Sequence, residues 1–135
     1  MSRLHLLVLA FVALSLAVSP VARAAGGRAQ LNMFFQATLT DASYQKKFFE
    51  RVAKQYRQPA ARHAPKPGHR AVVQITVGKD GQLLGAVLTT SSGSKTWDEA
   101  ALAAVKKAAP FGKLPTGYAA PALDVHFHAW WEPSP

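Results

Sequence analysis

Cysteine is absent from this 135-residue chain. That excludes a disulfide framework, a thiolate nucleophile and any cysteine-ligated metal. Acidic residues are scarce, seven against sixteen Lys and Arg. The seven are scattered, so no carboxylate pair suggests itself for acid/base chemistry. One long apolar run exists, Leu6–Val18, interrupted only by Ser15. It is shorter than the roughly 20 apolar residues of a membrane-spanning helix. No internal repeat, low-complexity tract or G-x-S-x-G nucleophile elbow occurs.

Arg3 precedes that run, and Pro20 and Ala22-Arg23-Ala24 follow it. A basic start, a short apolar segment and an A-x-A site form the pattern of a cleaved export signal. Residues 1–24 are therefore read as a signal peptide, with the mature chain beginning at Ala25. Removal of Arg3 and Arg23 leaves fourteen basic residues against seven acidic, a net +7. Export argues against nucleic acid and directs that charge toward anionic lipid head groups, envelope polymers or acidic protein segments. The whole chain is 49% apolar, and its mature part is long enough for one domain with a modest core.

Residues 25–40 carry no clear pattern beyond a loose Gly26-Gly27 start and apolar Leu31, Met33, Phe34 and Phe35. They read as an extra strand or a clamp laid over the domain of residues 41–135. Asp41–Gln58 reads as a helix capped by Asp41, with Tyr44, Phe48, Val52 and Tyr56 on its apolar side and Pro59 as its stop. A basic Pro/Gly connector runs to Arg70. Ala71–Val77 alternates apolar and polar residues, and Leu83–Thr90 does so in the same way through Leu84, Ala86 and Leu88, around Gly78-Lys79-Asp80-Gly81. This predicts an antiparallel hairpin, with Gly85 marking a bulge. Thr96 and Glu99 read as a capping box opening a second helix, whose stripe of Trp97, Ala101, Ala104, Val105 and Ala108 ends at Pro110. Leu123–Trp131 alternates again, with Leu123, Val125, Phe127, Ala129 and Trp131 on one face and Asp124, His126, His128 and Trp130 on the other. The expected fold is α+β, a three-stranded antiparallel sheet with two helices on one face in the order α-β-β-α-β.

Gly81, Leu83, Ser91-Ser92-Gly93, Asp98, Ala100-Ala101, Ala104-Val105, Pro110-Phe111 and Pro115 together resemble the TonB/TolA C-terminal domain family, over roughly Tyr44 to Trp131. The resemblance implies a non-enzymatic periplasmic module, without cofactor, that engages an envelope protein or outer-membrane receptor peptide in energy-coupled transport or envelope integrity. Family members carry a long proline-rich spacer from a membrane anchor; this sequence is read as a stand-alone form without one. They also place a tryptophan near the position of Tyr56.

Because Leu83–Thr90 connects onward through a helix, Ala71–Val77 is expected in the middle of the sheet and Leu123–Trp131 at an edge. An edge strand can take a partner's extended segment as a further strand. Leu123, Val125, His126, Phe127, His128 and Trp130 are the candidate partner-binding residues on that basis, and domains of this family receive receptor peptides there. Residues 31–39 filling that edge, or two copies pairing across it as a homodimer, are the competing outcomes. The alternative function is metal binding. Asp124, His126 and His128 stand two apart on one strand face, with His63 and His69 as further donors. Ser91 and Ser92 read as turn residues rather than nucleophiles.

Overall fold

The computed structural model describes residues 26–135. Six elements build it: strand β1 (Gly27–Phe35), helix α1 (Ala42–Gln55), strands β2 (Arg70–Gly78) and β3 (Leu83–Thr90), helix α2 (Lys95–Ala108) and strand β4 (Ala122–Pro133). A single turn of 3₁₀ helix, Ala61–His63, interrupts the connector. No helix among the described residues is long and apolar enough to cross a membrane.

The α+β class is as expected, but the sheet has four strands, in the order β1-β4-β2-β3, all antiparallel. The extra strand lies in the segment whose sequence gave no clear pattern. β1 pairs with β4 along its whole length, from Gly27↔Pro133 to Phe35↔Val125. The expected edge position of Leu123–Trp131 is therefore wrong: β4 lies inside the sheet, between β1 and β2. The physical reason is apolar. Ala29, Leu31, Met33 and Phe35 point from β1 toward the helices and extend the core, Met33 being buried. A bare β4 would leave the flank of that core wet.

β2 is central, as the hairpin argument required. Its inward residues Ala71, Val73, Ile75 and Val77 meet Leu123, Val125, Phe127 and Ala129 of β4, and all eight are fully buried. Two bulges distort β3, where Leu84 and Thr89 are skipped by the pairing with β2. The first adjoins Gly85, as its sequence position suggested. In the hairpin turn Gly81 has φ +92°, and its carbonyl accepts from Phe111 N–H at 2.8 Å. A Cβ there would stand 2.0 Å from the Phe111 carbonyl oxygen. The position thus demands glycine twice over, for its dihedral and for close approach.

Asp41 caps α1 by accepting from Tyr44 N–H at 2.9 Å. The helix ends at Gln55, short of Gln58, because Pro59 forces the residues before it out of helical geometry. For α2 the expected cap at Thr96 gives way to Ser94, whose hydroxyl accepts from Trp97 N–H. Glu99 faces Lys95 across 3.9 Å instead of reaching back to the Thr96 amide. Both helices pack on the inner side of the sheet. Trp97 is fully buried there, its indole N–H donating to the Ala129 carbonyl at 3.2 Å.

Candidate functional site

The outer side of the sheet carries no helix. Cross-strand registers set its side chains in rows. One row is Phe34, His126, Gln74 and Val87; the next is Asn32, His128, Val72 and Thr90; a third is Gln30, Trp130 and Arg70. The Arg70 guanidinium lies 4.6 Å from the Trp130 ring centre. Its Nη1 stands 3.3 Å from His128 Nδ1. Since arginine can only donate, Nδ1 is the acceptor and the ring proton sits on Nε2. Phe34 meets the His128 ring edge-on at 4.7 Å. Burial, then Arg70, then His126 hold the His128 imidazole below its ordinary pKa, so it is a neutral acceptor locked among its neighbours.

The candidate residues of β4 divide between two environments. Leu123, Val125 and Phe127 are fully buried and hold the core. His126, His128 and Trp130 lie on the outer face, with His126 the exposed one. Of the tryptophan pair, Trp131 turns inward against Trp97 at 5.9 Å and Trp130 outward beneath Arg70.

Asp124, His126 and His128 share that outer face, but their donors are engaged separately. Asp124 accepts from the Thr76 hydroxyl at 2.8 Å, and His128 Nδ1 is taken by Arg70. Among the described residues no group of three His, Asp or Glu side chains could hold an ion. Ser91 and Ser92 are likewise occupied. Both hydroxyls donate to the Asp98 carboxylate, which also accepts from Ser92 N–H at 2.8 Å. Ser92 and Asp98 are buried, and Gly93 takes φ +88°. This is a turn held shut by a carboxylate, the turn chemistry expected of those serines.

The sheet has two edges, and they differ. On β1 the amide of Ala29 donates to Gln58 Oε1 at 2.7 Å, and that of Met33 to its neighbour Asn32 Oδ1 at 2.8 Å. Side chains thus occupy two of the amides of this edge strand. On β3 no side chain among the described residues accepts from any backbone amide between Leu83 and Thr90. The β3 sequence, LLGAVLTT, contains no charge and no proline, the usual guards of an edge. Leu84 and Val87 are 63% and 60% exposed. Sequence reasoning placed the open edge on β4 and passed over β3. Its signal was present in the run of eight uncharged residues.

The TonB C-terminal family profile matches residues 41–128, which leaves β1 ahead of the matched region. No curated protein and no solved structure matches the chain. With a match over more than half of its length, the chain belongs to the TonB C-terminal family.

Proposed function

We propose that the protein is an exported, periplasmic protein-binding module that takes an extended segment of an envelope protein as a fifth strand along β3. Family membership supports a protein-binding role in envelope transport, and the export-signal pattern of residues 1–24 supports the compartment. The observation that carries the mechanism is the contrast between the edges. β1 closes β4 and has side chains on two of its own amides, whereas no side chain among the described residues covers the β3 amides that face away from β2. Main-chain pairing supplies affinity for any extended guest, and exposed side chains select among guests. Leu84 and Val87 are the first of these, followed by Gln74 and His126 in the same row. His128 and Trp130 lie farther across the face. The engaged state of Ser91, Ser92 and Asp98 favours binding over hydrolysis as the role of the domain.

The test uses the mature chain and the envelope protein it captures. Val87→Lys and Leu84→Lys leave the core untouched, because both side chains face solvent. Each places a charge in the interface and should abolish capture while melting stays unchanged. Hydrogen exchange of the complex should slow at the β3 amides. Protection at β4 with release of β1 would instead mean that the guest displaces β1. A sedimentation shift of the isolated chain to a dimer, lost in the lysine variants, would make a second copy the occupant of the edge.

A further inference from the structure

We propose that the outer surface of the two-helix layer docks on an anionic phospholipid surface, holding the open side of the sheet away from the membrane. The inference begins with where the charge lies. From Asp41 to Arg70 the chain has eight basic residues and two acidic ones. In α1, Phe48 and Val52 face the core, while Lys46, Lys47, Arg51 and Lys54 lie on the exposed half with Glu50. Arg57 is also exposed just beyond that helix. Arg51 reaches across to the end of α2, donating to the carbonyls of Ala108 and Pro110 at 3.0 and 2.9 Å. That contact brings the basic side of α1 beside Lys106 and Lys107 in the last turn of α2, with Lys113 in the loop beyond.

The acidic residues are already committed. Glu50 faces Lys46 at 4.0 Å and Glu99 faces Lys95 at 3.9 Å. Asp41 caps α1, Asp98 holds the serine turn, and Asp80 accepts from Gln82 N–H. Asp124 is bound by Thr76, and Glu132 stands opposite Arg28 in the β1–β4 ladder. On the outer sheet face Arg28 and Arg70 balance Asp124 and Glu132. The net +7 of residues 25–135 is therefore carried by the two helices, the connector after α1 and Lys113, and not by the outer sheet face. A one-sided molecule of this kind orients in the field of an anionic surface.

The chemistry favours lipid over an acidic peptide. Lys47, Lys54, Lys106 and Lys107 are exposed on helical ridges, and lysine is a flexible point charge without a fixed fork. A spread of such charges suits a sheet of mobile phosphates, and the cleft that Tyr44, Lys47, Arg51 and Phe111 line there is about 130 Å³, too small to seat an extended peptide. α2 packs over β2 and β3, but Lys106 and Lys107 are on its exposed side, so lipid contact would use the outer surface of the helices and strand addition the main chain of β3.

The experiment is co-sedimentation of residues 25–135, which contain every described element, with large vesicles. One set is phosphatidylcholine alone, and the other includes phosphatidylglycerol. Binding is expected only to the anionic vesicles and should fall steeply as salt rises. Each cation near the surface contributes about fivefold to the partition, so Lys54→Gln, Lys106→Gln and Lys107→Gln together should lower it about a hundredfold. Arg28→Gln, on the sheet side, should change it much less. Equal binding to neutral vesicles overturns the proposal, as does an equal loss from Arg28→Gln. No binding to anionic vesicles, with salt-sensitive retention on a polyglutamate matrix, assigns the basic face to acidic polypeptides instead. These outcomes are independent of the strand-addition reading, whose variants lie on β3.

Discussion

Replacing Trp97 by alanine tests the packing that joins both layers. The indole is fully buried at the start of α2. It meets Tyr56 of the segment after α1 at 6.3 Å and Trp131 of β4 at 5.9 Å, both edge-on. Its N–H donates to the Ala129 carbonyl of β4. One side chain therefore links the segment after α1, the start of α2 and strand β4. Truncation of a large core aromatic costs about 3–5 kcal/mol. The lost indole bond belongs to that figure in part, a hydrogen bond being worth about 0.5–1.5 kcal/mol net. A domain of this size has a total stability of about 5–15 kcal/mol, so the loss is a large fraction of it. At about 4 °C per kcal/mol, the melting temperature of residues 25–135 should fall by about 12–20 °C. The assay is thermal denaturation by circular dichroism, with urea unfolding to confirm that the slope m is unchanged. Trp97→Phe retains most of the volume and loses the N–H, so it should fall between the parent and the alanine variant. A shift under about 3 °C for Trp97→Ala would mean that the indole is not the keystone of the core, and the placement of α2 on the sheet would be refuted.

Two further substitutions probe the architecture with opposite signs. Gly81→Ala puts a Cβ against the Phe111 and Gly112 carbonyls at a φ of +92°, and should cost more than the roughly 1 kcal/mol of an ordinary glycine replacement, read as a drop in the urea midpoint. Tyr56→Phe should leave stability unchanged or raise it, because the Tyr56 hydroxyl is buried with no hydrogen-bond partner among the described residues and burial pushes its pKa up. A loss above about 1 kcal/mol in the same urea titration would show that the hydroxyl has a partner in solution.

What could be read in the sequence was local. The alternation of β2, the Asp41 cap and the stop at Pro110 depend on neighbours a few residues away, and each emerged close to its expected place. The β1 strand depends on a partner about a hundred residues distant, Gly27 meeting Pro133. Its own pattern is spoiled by Phe34, an apolar residue on the outer face that shares a row with His126. Without β1 in view, β4 had every appearance of an edge. The error at the start of α2 was of another kind. Ser94 and Thr96 are both competent caps, and Thr96 with Glu99 fits the capping-box spacing. The choice is made by Asp98, which draws Ser91 and Ser92 into a closed turn and sets Ser94 where the helix opens. The Asp98 carboxylate is buried as the acceptor of three bonds.

The same distinction between main chain and side chain governs what a guest strand at β3 could recognise. An eight-residue edge turns alternate amides and carbonyls outward, and these are hydrated until a guest arrives. Exchange of water for a guest's backbone gains only about 0.5–1.5 kcal/mol net per bond, and the gain is the same for any extended segment. Main-chain pairing alone would therefore bind weakly and choose nothing. Leu84 and Val87 change that balance. Covering a side chain of this size is worth about 1.5–3 kcal/mol, and only a guest with apolar residues at the matching positions can cover it. The two bulges narrow the choice further, because skipping Leu84 and Thr89 twists the strand locally and interrupts regular alternation along the edge. A guest must match that irregular spacing to place its side chains beside Leu84 and Val87. If a guest adds at β3 as proposed, its selection would rest on two exposed side chains and on the bulge that displaces one of them, while the backbone between them would supply adhesion.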